Sequence, residues 1–278
     1  MTSETTGGPS PVRFRRLAEQ VADDLRRRIL LGDLGDGAEL PVEGLLREQY
    51  PVSKPTLREA MRVLEAEGLV TVRRGSIGGA VVHRPHTTNV AYTLGLVLAA
   101  QKVNISEVAT ALREVEPACA ASCAERRDRS ETVVPRLREI HQQATEVVGD
   151  LVAVTTASRQ FHEAIVELCG NEPLRIMAGA LEALWSTHES DWAHRMGEVA
   201  AIPTAERLDA LEEHSSLIDL IEAGDAETAR RSAATHLLTS QTYPESTPGV
   251  RVIDPDAVRA SFVARTAASA AHTETGPR

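Results

Sequence analysis

Three histidines stand on helical stretches whose neighbouring positions are largely apolar: His162 in FHEAIVELCGN, His214 in LEEHSSLIDLIEAGD and His236 in ARRSAATHLLTS. Neutral imidazole is a ready ligand for zinc and similar divalent ions. Three of them, from three antiparallel helices, can meet at one level of a bundle. Each taken alone reads as a histidine packed beside an apolar face. A second stretch with chemistry in it lies near the amino end, VSKPTLREAMRVLEAEGLV, residues 52–70. Lys54, Arg58 and Arg62 recur there every four residues, and Leu57, Met61 and Leu64 recur between them. A helix with those two stripes packs by one and presents the other, and an exposed lysine or arginine can address guanine O6/N7 or a phosphate.

The elements that must position the basic stripe are short and ordered. LAEQVADDLRRRILL, residues 17–31, is apolar at helical spacing and is stopped by GDLGDG. Pro41 opens a second helix, VEGLLREQ, and QYPVS is a turn. Ser53 is placed to cap the third helix, with Thr56 in its first turn, and Gly68 suits a left-handed end. LVTVRR reads as a strand, GSIGG as a hairpin tip and AVVHR as the return strand. Helix, helix, turn, helix and hairpin make a winged helix-turn-helix, whose second motif helix enters the major groove. Ser53, Lys54, Thr56 and Arg58 would then face DNA. Arg73, Arg74 and the glycines around Gly75 would follow the backbone or the minor groove. The arginines at 26–28 read equally as phosphate contacts or as a solvated run.

The histidines need a different scaffold. Residues 90–242 show helical periodicity throughout, over 91–101, 104–127, 131–148, 151–170, 172–194, 204–223 and 226–241. GNEP and EAGDAE break the pattern. The fold class is therefore mainly α: a winged helix-turn-helix over 13–84, a linker at 85–89 and an all-α antiparallel helical bundle over 90–242. Residues 1–12 and 243–278 read as tails, the latter with a short helix within 254–271.

Composition agrees. Of 278 residues, 42% are apolar but only 3% aromatic, so the core is aliphatic and helix-favouring. No apolar run reaches the roughly 18 residues of a membrane span, and the first residues lack a signal-peptide core. Three cysteines make a disulfide framework an unlikely design, and a reduced, cytoplasmic protein is expected. The net charge of −10 is unevenly divided: residues 1–86 carry 13 basic and 12 acidic side chains, and the remainder 17 and 28. The acidity thus belongs to the bundle and does not oppose nucleic-acid contact by the first part.

GAELPVEGLLREQYPVSKPTLREAMRVLEAEGLVTVRRG resembles the amino-terminal domain of GntR-family transcription regulators. The segments EVEPACAASCAERR, FHEAIVELCGNEPL and EEHSSLIDLIEAGDAETARRSAATHL are similar to the FCD ligand domain of the FadR branch. The resemblance implies a homodimer that binds double-stranded operator DNA, usually as a repressor, with Lys54, Thr56, Arg58, Arg74 and Gly75 at the duplex. It implies a divalent metal (zinc, or else nickel or manganese) on His162, His214 and His236, with a small carboxylate effector beside it. Three departures stand out: Gly44 replaces the basic residue after Pro-x-Glu, Ser158 occupies the acidic-ligand position, and Arg113 is one place off the effector-anchor register held by Leu112. Two other readings fit the residues. One is a constitutive dimeric DNA-binding protein with a metal-free pocket. The other is a metal-dependent hydrolase, since three histidines with an open position also describe a hydrolytic site.

Overall fold

The structure, a computed structural model, describes residues 17–73, 79–199 and 203–241, together with Ile253, Asp254, Asp256, Ala257 and Ala260. Within 190–199 it describes the backbone alone. The chain divides into two compact units between Pro85 and His86.

In the first unit, α1 (Leu17–Leu31) buries Val21, Leu25 and Ile29. Three short elements follow: β1 (Glu39–Leu40), α2 (Glu43–Gln49) and α3 (Lys54–Ala66). β2 (Val70–Val72) and β3 (Ala80–Val82) complete the unit. The apolar stripe of α3 is inward: Leu57 and Leu64 are buried against Leu25 and Ile29 of α1 in one cluster. Ser53 caps α3 by accepting the Thr56 amide proton at 3.3 Å. At its other end Gly68 takes φ +72°, and the Leu69 amide returns to the Leu64 carbonyl at 2.9 Å. Only a residue without Cβ enters that left-handed conformation cheaply. The expected two-stranded hairpin is a three-stranded antiparallel sheet, ordered β1-β3-β2. Glu39 and Leu40 add the extra strand by pairing with Val81 and Ala80. A strand of two residues leaves no periodicity to read.

The second unit is helical among its described residues. Its helices are α4 (Thr87–Ala100), α5 (Ile105–Glu125), α6 (Arg129–Glu146), α7 (Leu151–Leu168), α8 (Glu172–Val199), α9 (Thr204–Ala223) and α10 (Ala226–Ser240). α5 is central, packing on α7, α8, α9 and α10. Cys119, Cys123, Leu137, Phe161, Ile165, Leu217 and Ile221 share its main core. Side-chain caps set the helix starts: Asn104 for α5, Asp150 for α7 and Asp225 for α10. α4 begins inside the expected linker, because the Asn89 side chain accepts the His86 amide proton at 3.0 Å and closes a first turn there. α8 runs five residues beyond 194. No described helix is long and apolar enough to cross a membrane. The tail at 1–12 and most of the helix expected within 254–271 lie outside the described residues.

Leu57 and Arg58 are adjacent but belong to opposite faces. Leu57→Ala should lower the unfolding free energy by roughly 2–5 kcal/mol, whereas Arg58→Ala should change it by less than about 0.5 kcal/mol. Urea unfolding of the two variants checks the orientation of α3.

Candidate functional site

Two groups of side chains are candidates, one in each unit. On α3 the basic stripe is outward, with Lys54, Arg58 and Arg62 side chains 52%, 60% and 76% exposed. All three cations are engaged, Arg62 with Glu59 at 3.5 Å and the other two with one carboxylate. Glu43, at the start of α2, lies 2.9 Å from Lys54 Nζ and accepts from Arg58 Nε at 3.0 Å. Those partners, Lys54 first, hold the Glu43 carboxyl below its ordinary value. Ser53 and Thr56 are occupied with each other, their hydroxyl oxygens 2.7 Å apart. Arg26 is bound by Glu67 and Asp23, and Arg28 donates to the Tyr50 hydroxyl at 3.3 Å. Arg74 and Gly75 lie outside the described residues.

In the second unit a cavity of about 580 Å³ opens among α7, α8, α9 and α10. His162 reaches it from α7, His214 from α9 and His236 from α10. One nitrogen from each ring lies within 4.8 Å of the others, a cluster that could hold a metal ion. The Nε2 atoms of His214 and His236 are 3.0 Å apart. His214 is 1% exposed and stacks on Phe161, with ring centroids 4.1 Å apart. Burial keeps all three imidazoles neutral: His236 falls to about 4, His214 falls well below its ordinary value, and His162 falls as well. Neutral imidazole is the form that ligates.

Carboxylates stand behind two of the rings. His162 Nδ1 is 2.6 Å from Glu116 Oε1, and His236 Nδ1 is 2.6 Å from Glu213 Oε2. Glu116, on α5, is 1% exposed, and burial pushes it up to about 7. Glu182, on α8, is equally enclosed and is raised too, by burial first and then by Glu116. Glu116 was legible in principle. It falls on the inward helical series Leu112, Glu116, Cys119 and Cys123, where an acid is out of place.

The expected cavity residues divide. Ser158 does line the cavity, one turn before His162. Arg113 is not among its lining residues, and its Nη2 donates to Thr110 Oγ1 at 2.9 Å. Leu112 takes the inward position instead, fully buried. Arg159 lines the cavity, and the sequence offers no signal that singles it out. Its Nε is buried and ion-paired with Glu163 at 3.7 Å, and its Nη1 donates to the Ser186 carbonyl at 3.5 Å. Trp185 lines the cavity too. The three cysteines are free and buried.

The sequence pattern of bacterial regulatory proteins of the gntR family matches residues 17–81, and that of the FCD domain matches residues 107–239. An Escherichia coli protein named for regulation of the L-lactate dehydrogenase operon is 31% identical over 230 residues, covering 80% of this chain and 84% of its own. The chain belongs to the GntR family. The galactonate operon transcriptional repressor of Escherichia coli is 28% identical over 230 residues, 80% of this chain and 94% of its own. Among solved structures, a GntR protein of Streptococcus agalactiae has the same fold, with a TM-score of 0.61 at 22% identity over 81% of this chain and 98% of that one. This GntR protein is a DNA-binding transcription regulator with an FCD domain behind its winged helix. Its relatives carry the names of regulators and not of enzymes, so the hydrolase reading is set aside.

The Glu43 clamp is exposed, and exposed ion pairs contribute about 0–1 kcal/mol. Glu43→Gln should therefore leave the unfolding midpoint of the regulator nearly unchanged, and it should raise affinity for random-sequence duplex at low salt by removing a negative charge beside Lys54 and Arg58. Calorimetry and a fluorescence-anisotropy titration read the two effects.

Proposed function

We propose that this regulator is a repressor whose operator affinity is set by a small carboxylate bound beside a divalent metal, zinc by preference, in the histidine cavity. The observation that carries the reading is the convergence of three neutral imidazoles from three helices in one cavity. Three histidines with one open position suit a tetrahedral ion, and the open position suits a carboxylate oxygen. Ser158 supplies no charge at the position where an acid is expected, which leaves room for the effector's own carboxylate. Arg159 lines the same cavity and offers the other half of the recognition: a guanidinium for the same group, in exchange for its ion pair with Glu163.

Charge supports the presence of a cation. Glu182, Glu189, Glu206, Asp209 and Glu213 line the cavity against Arg159 and Arg207. An acid entering such a field without a metal meets repulsion, and a divalent ion reverses the sign locally. The relatives are named for the L-lactate dehydrogenase and galactonate operons, both concerned with hydroxy acids. A hydroxy acid can offer a metal its carboxylate and its hydroxyl.

The reading requires two states. A homodimer sets two α3 helices, with Ser53, Lys54, Thr56 and Arg58, in successive major-groove half-sites, while the wing residues Arg74 and Gly75 follow the backbone or the minor groove. The effector binds one state of the bundle more tightly than the other, and only that difference shifts DNA affinity.

Arg58→Ala should weaken operator binding and lower the slope of log K against log salt by about 0.9 per protomer, or about 1.8 for the dimer. Footprinting upstream of the regulator's own gene locates the operator, and an unchanged affinity in the variant removes α3 from the interface. Chelator-treated protein refilled with zinc should hold one ion per chain, and His214→Ala essentially none. Thermal shift against L-lactate, D-galactonate and acetate should then show stabilisation with zinc and little without it. Equal shifts in both conditions point to an effector pocket without metal, and no shift in either to the constitutive reading.

A further inference from the structure

We infer that Glu116 and Glu213 are the carboxylates of the cation site, placed one hydrogen bond behind it, and that together they supply the negative charge absent at Ser158. The inference rests on the metal reading above and concerns what makes a three-histidine site without an acidic ligand tight enough to fill.

The two pairs have the same construction. Glu116 Oε1 stands 2.6 Å from His162 Nδ1, joining α5 to α7. Glu213 Oε2 stands 2.6 Å from His236 Nδ1, joining α9 to α10. An imidazole that gives its Nδ1 proton to a carboxylate keeps its Nε2 lone pair for a metal, in one tautomer and one ring orientation. The third ring has no such partner: His214 Nδ1 is buried and lacks a hydrogen bond. Its plane is set by the stack on Phe161, 16° from parallel. All three rings thereby hold one nitrogen within 4.8 Å of the others. The donors are also close to a ligating separation. His214 Nε2 and His236 Nε2 are 3.0 Å apart, and two ~2.1 Å bonds at a tetrahedral angle would put them roughly 3.4 Å apart.

Electrostatics distinguishes this role from that of an ordinary helix–helix hydrogen bond. Three neutral imidazoles and a serine hydroxyl contribute no charge toward a divalent ion, and an uncompensated ion in a largely buried site is costly. Glu116 is 1% exposed, and a carboxylate enclosed that deeply needs a cation nearby, which the ring it touches would hold. Glu213, with a side chain 45% exposed, is the better solvated of the pair. Its contribution is screened and should be the smaller of the two.

The test is a competition titration of the full-length, chelator-treated protein with zinc and with cobalt. Glutamine keeps the shape and an acceptor oxygen but removes the charge. Loss of such an outer carboxylate typically lowers metal affinity about 10–100-fold. Glu213→Gln should fall near the lower end of that range and Glu116→Gln near the upper. Glu213 is well exposed, so its variant should fold and keep the metal-free melting temperature of the wild type even if Glu116→Gln does not fold. The cobalt spectrum should keep its four-coordinate form, because no ligand has been removed. Ser158→Asp placed in Glu213→Gln should recover the lost affinity. Wild-type affinity in Glu213→Gln, or no recovery with Ser158→Asp, overturns the inference and leaves the metal reading standing. Failure of the wild type itself to bind either ion overturns both.

Discussion

Desolvation of charge governs the bundle. His162, His214 and His236 sit where water is largely excluded, and burial pushes each toward its neutral form. A neutral imidazole still has one donor and one acceptor to satisfy, and the interior provides few partners. Glu116 meets that need for His162 and Glu213 for His236. His214 and His236 turn their remaining nitrogens toward each other. The cost of burying polar atoms beside Phe161, Ile165 and Leu217 therefore draws the three rings together, one nitrogen of each within 4.8 Å of the others. The same cost raises Glu116 and Glu182, whose proximity disfavours two full charges.

The amino-terminal unit solves the opposite problem, keeping charge at the surface. α3 is short, so its position depends on Leu57, Met61 and Leu64 locking against α1 and not on helix propensity. That leaves the basic stripe outside, where Glu43 gathers Lys54 and Arg58. Because the clamp is exposed, it orders the two cations at little energetic cost and can be exchanged for phosphate or a base edge. With Gly44 beside it, Glu43 has no basic neighbour in sequence and draws its partners from the next helix.

The proposed regulation asks these two physical regimes to communicate. A ligand in the bundle changes DNA affinity only through a difference in how well it binds two states. Helices α7, α9 and α10 all contribute to the cavity, so an ion and an acid bound as proposed would fix their mutual spacing. A cluster drawn from three helices is sensitive to small displacements of any of them, because a packed core shifts between arrangements more readily than it stretches.

Much of this was readable along the chain. The order helix, helix, turn, helix, strand, strand follows from periods of 3.6 and 2 and from Ser53 and Gly68, which act locally. The bundle helices follow from the same period and from local breaks at Gly170 and Gly224. The histidines were visible because a polar ring on an apolar stripe is conspicuous. The rest needed coordinates. The third strand is two residues long, too short for a pattern, and the start of α4 rests on one side-chain hydrogen bond from Asn89. Arg113 and Arg159 look alike in sequence, and a single residue of helical phase separates a surface contact with Thr110 from a place in the cavity. Sequence by itself determined the element types, the two-part division of charge and the identity of the three imidazoles, because these depend on near neighbours. Tertiary structure decided which carboxylates stand behind those rings and which arginine faces the cavity, because those contacts join residues 46 apart for Glu116 and His162 and 23 apart for Glu213 and His236, and no local pattern encodes a meeting across helices.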